Sequence, residues 1–400
     1  MKTIRTTLAL AAGLTLLTGA AAGTAAAAPT QLSAIDLDAA LDTALADSGA
    51  PGATVAVLDR GELVWSGAAG LAVDPSAAPM RLGAASAPAA VAMRTDTLQP
   101  IASLTKSYTA VVILRLAEQR KLRLDATIDD WLPAVPGART VTVRQLLQHT
   151  AGYPDVEADP YVTRITSTRR RYDPDHRWTR AELIRLTRAP AFTPGTSWSY
   201  SNTNYLLLGE IAERAARAPF ARLLDRYVAR PLKLRDTLIR RSALPLQRFA
   251  HGYYFTAKTR FDTWSAARSV PSDAFGPVWT DGGIATTALD AARFSDGLYR
   301  AGALLRPRTL ATMTHTPGAR FRGHGLGTKR FAFGDGARWQ GFIGAYGGYT
   351  SMAATNRDSG ITIAVLSNQL GIDPVTAPAP AIWVRIGQAL GAVPDRAALG

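Results

Sequence analysis

Near its start the chain carries two short apolar runs, Thr54–Leu58 and Glu62–Trp65, on either side of Asp59-Arg60-Gly61. Such runs around a glycine-containing turn predict a β-hairpin. Ahead of them Ser33 caps a predicted helix that reaches about Asp47 and stops at Gly49 and Pro51-Gly52. Residues 72–98 are rich in Ala, Pro and Ser without periodicity, which predicts a long surface loop with a short strand near Met93. From Ser103 the pattern turns helical. Val111, Val112, Leu114 and Leu116 supply an apolar face, and Lys121 and Arg123 are expected in the last turn, where cations suit the helix dipole.

Thr142-Val143-Arg144-Gln145 has capping-box spacing and predicts a short helix from Leu146 to His149. Further helices are expected near Arg180–Thr187, Tyr205–Ala216, Ala221–Val228 and Leu289–Ala301. The pattern then returns to strands, Tyr349–Thr355 and Ile361–Ser367 around a turn at 356–360, before a last helix over Ala379–Leu390. Strands at both ends and helices between predict an α/β (α+β) fold: an antiparallel sheet built from both chain ends, flanked by helices, with an inserted, mostly helical domain. The expected divisions are 1–28, 29–102 as the first part of the sheet domain, 103–280 as the helical insert, and 281–400 as the second part.

Composition narrows the chemistry. Cysteine is absent, which excludes disulfides, zinc-thiolate and iron–sulfur sites and a cysteine nucleophile. The five histidines show no pair at helical ligand spacing, so no metal and no cofactor is expected. The formal charge is +14, yet 39 of the 45 basic residues are arginine and alanine is abundant, a bias of coding composition. The densest run, Arg164 to Arg188, is interleaved with Asp173, Asp175 and Glu182 and has no nucleic-acid motif around it. It reads as a solvated basic face with, at most, weak attraction to an anionic cell wall; nucleic acid is not an expected partner.

Lys2 and Arg5 precede an apolar stretch from Leu8 to about Ala22, followed by small residues to Ala28. This has the form of an export signal, cleaved between about Gly23 and Ala27, and it is short for a membrane span of roughly 20 residues. No stable membrane span is expected, and the mature chain is expected outside the cytoplasm, as a monomer.

Ser103-Leu104-Thr105-Lys106 opens the first long helix of the middle region. Residues three apart share a helix face, so the Lys106 amine can reach the Ser103 hydroxyl. A serine hydroxyl is a weak nucleophile until a neighbouring base takes its proton, and a desolvated lysine can be that base. Tyr200-Ser201-Asn202 also stands just before a predicted helix, offering a phenol for proton relay and an amide for a substrate amide. Each pattern alone is common. Both in this order, each at a helix start, are far more specific.

Together they resemble the penicillin-recognising serine hydrolases, in the branch of class C β-lactamases, D-alanyl-D-alanine carboxypeptidases and related esterases. The supporting stretches are Gly52–Val57, Pro100–Ser107, Val143–Gly152, Pro194–Asn202, Gly325-Leu326-Gly327 and Leu366-Ser367-Asn368. The likeness covers roughly residues 35–390 and is strongest to exported actinobacterial-type carboxypeptidases. It implies a β-lactamase/transpeptidase-like fold with Ser103 as nucleophile, Lys106 as its base, Tyr200 as proton relay and Asn202 as a substrate contact. The family's third motif, His/Lys-x-Gly, falls on Phe342-Ile343-Gly344, so a phenylalanine stands where a cation or imidazole is usual. Ala345 is then expected to offer the backbone N–H that completes an oxyanion hole with Ser103, and Lys329 to stand where relatives carry a carboxylate-binding cation, or else to be a surface lysine.

In the same likeness Gln148–Gly152 is a structural helix-end turn, which leaves a Ser-His-Asp role for His149 a minor reading. Trp279, Asp281, Gly282 and Gly283 either line the cleft or pack in the core. Gly323–Gly327 lacks the strand–loop–helix unit of a phosphate loop. The expected activity is a D-alanyl-D-alanine carboxypeptidase-like hydrolase of cell-wall peptides, with β-lactams as covalent ligands. The alternatives are a carboxyl esterase on the same scaffold and an idle penicillin-binding or cell-wall module.

Overall fold

The computed structural model describes residues 34–79, 88–166, 178–239, 246–256, 259–264, 278–333, 337–371 and 377–393. The predicted export segment (1–28), Ser33 and Arg169-Arg170-Arg171 lie outside them.

Strands are numbered in chain order. The main sheet joins β1 (Gly52–Asp59), β2 (Glu62–Val73), β4 (Val91–Ala92), β9 (Lys329–Ala332), β10 (Arg338–Tyr346), β11 (Tyr349–Asn356) and β12 (Ile361–Ser367). Their spatial order is β4-β2-β1-β12-β11-β10-β9, and every pairing is antiparallel. The two chain ends therefore meet at the centre of the sheet, where Val55 pairs with Val365.

Both faces of that sheet are covered, which is why β1, β11 and β12 read as nearly continuous apolar or small residues. One face buries Val55, Val57, Trp339 and Val365 under Leu37 and Leu41 of the helix Ala34–Ser48 and Ile382 and Trp383 of the helix Pro378–Ala389. The other face buries Ala56, Leu58, Phe342, Ala353 and Leu366 against Tyr108, Val111 and Val112 of the helix Thr105–Glu118 and Phe294 of the helix Ala288–Tyr299. Alternation along each strand sends successive side chains to opposite cores.

Several boundaries differ from expectation for local reasons. The helix Thr105–Glu118 ends before Lys121 and Arg123, because Arg120 turns left-handed (φ 59°); Arg115 is the cation of its last turn. The capping box on Thr142 forms with Gln145, but its helix is Val143–Leu147 and His149 lies beyond it. Asn202–Ala216 begins three residues earlier than its apolar pattern suggests. After Phe220–Leu224 the chain widens into a π turn, Asp225–Ala229. The helix Pro307–Thr314 was not expected.

The mostly helical middle region also contributes two short strands to a second sheet. A small second sheet joins β3 (Ala78–Pro79), β6 (Tyr253–Thr256), β7 (Thr259–Asp262) and β13 (Gln369–Leu370), and β5 (Gln99–Pro100) pairs with β8 (Ala285–Thr286). Among the described residues no helix is long and apolar enough to cross a membrane.

Candidate active site

The pair β5–β8 delivers the chain to Ser103. Ile101 N–H donates to Ile284 O, and Ala102 adopts φ 46° before a 3-10 turn, Ala102–Leu104, runs into the long helix. A left-handed alanine costs roughly 1–2 kcal/mol, so the fold holds this corner against its own preference. Strand β10 closes in from the other side. A Cβ on Gly344 would lie 2.1 Å from Ile101 O, 2.5 Å from Ser351 Oγ and 3.0 Å from Ser103 N. Only a residue without a side chain allows the strand to approach the serine backbone this closely.

Lys106, one helical turn on, is fully buried. Its Nζ lies 3.0 Å from Ser103 Oγ, 2.6 Å from Asn202 Oδ1 and 2.8 Å from Asp281 O. The last two are pure acceptors and take two N–H bonds. The orientation of Asn202 is set from behind: its Nδ2 donates to Asp155 Oδ2 (3.0 Å), which turns Oδ1 onto the lysine. Burial pushes the Lys106 pKa down, and the carboxyls of Asp281, Glu157 and Asp155 pull it partly back. Burial in turn raises Asp281 to about 6 and Glu157 well above the usual carboxylate range.

The Tyr200 hydroxyl donates to Ser103 Oγ at 2.7 Å. Burial drives its pKa well above that of a free phenol, so it holds its proton. A hydroxyl thus stands between a protonated phenol and a desolvated amine, with the remaining amine position facing it. The structure brings Ser103, Lys106, Tyr200 and Asn202 into one hydrogen-bonded group.

The β10 wall is different. Phe342 is buried, and its ring meets that of His324 edge-to-face at 5.5 Å. His324 also packs 5.2 Å from Trp198 and 6.4 Å from Tyr200. Burial, with Lys329, Lys106 and Arg322 nearby, lowers its pKa to about 4, so it is neutral at ordinary pH. An imidazole does stand on this wall, supplied by a neighbouring loop. Gly344 faces the Ser103 backbone, and Ala345 follows it, paired with Thr350. Lys329 pairs with Gly341, and its Nζ lies 5.2 Å from the Phe331 ring. Alternation groups it with Phe331 and Trp339, while its charge still acts on His324, the residue packed against Phe342.

The Ser-His-Asp reading does not survive. His149 Nδ1 accepts from Ser201 N–H (3.2 Å), while Ser103 bonds to Lys106 and Tyr200. Asp281 lies at the site, with its carbonyl on Lys106. The sequence reading missed Asp155, Glu157 and His324. Asp155 carries only the signature of a cap, accepting from Glu157 N at the turn Val156–Ala158.

Comparison with known proteins agrees with this geometry. The family profile described as Beta-lactamase matches residues 37–385. The chain belongs to the beta-lactamase family. Among curated relatives of this beta-lactamase-family chain, Esterase EstB of Burkholderia gladioli is 36% identical over 214 residues, half of each chain. A putative D-alanyl-D-alanine carboxypeptidase of Escherichia coli K12 is 31% identical over 153 residues, 36% of this chain and 34% of that protein. The chain thus spans half or less of the length of these relatives. The solved D-stereospecific amidohydrolase from a Streptomyces species superposes with a TM-score of 0.68 at 29% identity, covering 84% of this chain and 94% of that one. The fold is the β-lactamase/transpeptidase-like one, and the family is one of hydrolases.

Proposed function

We propose that this chain is an exported serine hydrolase that works through an acyl-enzyme on Ser103, with D-alanyl peptides of the cell wall as substrates. One observation carries the reading: Ser103 Oγ sits 3.0 Å from a buried amine and 2.7 Å from a protonated phenol. Neutral Lys106 takes the serine proton as Oγ bonds to the substrate carbonyl carbon. The carbonyl oxygen becomes an oxyanion, held by the backbone N–H groups of Ser103 and Ala345. When the intermediate collapses, the C–N bond breaks and the leaving amine takes the Tyr200 proton, and the proton held on Lys106 then passes to the phenolate, leaving both groups as they began. Water then repeats the steps in reverse order, releasing the acid and restoring Ser103.

A carboxyl esterase is the second reading, and Phe342 favours it. An apolar ring in place of a cation removes a contact for a peptide's terminal carboxylate. The likeness to an esterase supports the same reading.

Intact-protein mass spectrometry separates these. The protein is incubated with a penicillin, with free and N-acetylated D-Ala-D-Ala, and with a short-chain aryl ester. The expected result is penicillin adduct on Ser103, lost in Ser103→Ala, together with D-alanine release. Ester turnover without D-alanine release transfers the assignment to the esterase. No adduct and no turnover leaves an idle binding module. Export is tested by the N-terminus of the mature chain, expected between about Gly23 and Ala27.

A further inference from the structure

Tyr200 lies in a stretch, 191–201, that has no helix or strand to hold it. A phenol aimed within 2.7 Å of a serine nevertheless needs a fixed backbone. That support comes from His149. Its carbonyl accepts from Ser199 N–H at 2.9 Å, and its imidazole Nδ1 accepts from Ser201 N–H at 3.2 Å. These are the two peptide N–H groups on either side of Tyr200. The His149 ring also backs the phenol, with centroids 4.5 Å apart and planes inclined by 31°.

We infer that His149 is the positioning residue for Tyr200, clamping the backbone on both sides of it and backing its ring so that the hydroxyl meets Ser103. The inference rests on the proton role proposed for Tyr200.

Two further features fit. His149 has φ 60°, so the chain reverses there and its carbonyl and side chain reach the same segment. Asn204 Nδ2 lies 3.3 Å from the same Nδ1, so two donors converge on that nitrogen and the proton belongs on Nε2. The residue is 1% exposed, and among the described residues Nε2 has no hydrogen-bond partner, which leaves Nδ1 as the working atom. Burial, with His324 and Lys106 nearby, keeps the ring neutral and therefore able to accept.

The test is a double-mutant cycle on the full chain with an activated ester. H149F keeps a ring but loses the acceptor; H149N keeps an acceptor near the same place and suits a left-handed backbone. H149F is expected to lower kcat about 10–100-fold with little change in KM, and H149N to stay within about five-fold of wild type. In a Y200F background H149F should cost no more than about two-fold further, because its effect runs through the phenol. Losses that multiply across the cycle, or an H149N as poor as H149F, overturn the assignment. If H149F does not fold, H149G decides: added imidazole restores turnover when Tyr200 is present and not in Y200F, and absence of rescue overturns it. Full activity in Y200F alone would instead bring down the proton role of Tyr200.

Discussion

The two walls of the site are built on opposite principles. On the Lys106 wall every polar atom is fixed by another: Asp155 turns Asn202, Asn202 and Asp281 hold the amine, and the amine faces Ser103. On the β10 wall the contacts are ring on ring, Phe342 against His324 and His324 against Trp198, and among the described residues none of these rings bonds to Ser103. A closed polar network tolerates little change, because each member left unpaired in a buried site is costly. Packed rings exchange more freely at similar volume. In the proposed mechanism the proton transfers thus fall on one wall, while the other offers a strand backbone to the serine and a lining of rings.

Four substitutions probe that division, from the largest expected effect downward. Lys106→Met should reduce acylation by penicillin about 10³-fold or more, since groups that act as a unit fail together. Its thermal midpoint should also fall, because Asn202 Oδ1 and the Asp281 carbonyl lose their donor in a buried site, so labelling is read well below the variant's own transition. A loss under ten-fold in stopped-flow labelling would move the chemistry off this wall. Gly344→Ala should lower turnover by about 100-fold, as a Cβ 2.1 Å from Ile101 O must push β10 away from Ser103. Near-normal kinetics there would show that the strand backbone takes no part.

Phe342→His is aimed at the other wall. It should leave ester turnover within a few-fold while raising the peptide-to-ester ratio about ten-fold, one added hydrogen bond's worth of discrimination. An unchanged ratio in paired assays would place selectivity elsewhere. The smallest effect is on stability. The folded chain holds His324 near pKa 4 against an ordinary 6.5, so the unfolded chain binds the proton more readily between those values. The contribution is complete above about pH 6.5 and declines as pH falls toward 4. Thermal melts of wild type should therefore drop further than those of His324→Phe between pH 7 and 4.5; parallel curves would remove His324 from the account.

The Lys106 wall was the more legible in sequence, because part of it is local. Ser103 and Lys106 share one helix face, and Tyr200 and Asn202 stand together at the start of another. Asp155 and Asp281 are as firmly placed, yet they reach Asn202 and Lys106 from 47 and 175 residues away, and no short-range spacing announces them. Much of the sheet was visible where apolar runs are unbroken, as in β1 and β12. Strand β10 was reached only through the motif match, because Gly341 and Gly344 interrupt its alternation, the first where the backbone approaches Ala353 and the second where it approaches Ile101 and Ser351. The hairpin β6–β7 pairs over only four residues a side and escaped notice for that reason. His324 was invisible as a site residue, because only the folded loop brings it onto Phe342.

Ser367 Oγ donates to the Gly52 carbonyl across 315 residues. The ribosome makes the two central strands of the sheet, Gly52–Asp59 and Ile361–Ser367, some three hundred residues apart. Until Ile361–Ser367 emerges, the row from Ala53 to Asp59 lacks one of its two neighbours, and its backbone groups on that side must wait in water. Closing so long a loop is slow, so premature termination or a stalled ribosome upstream of residue 361 leaves an open sheet edge, the form most prone to join another chain.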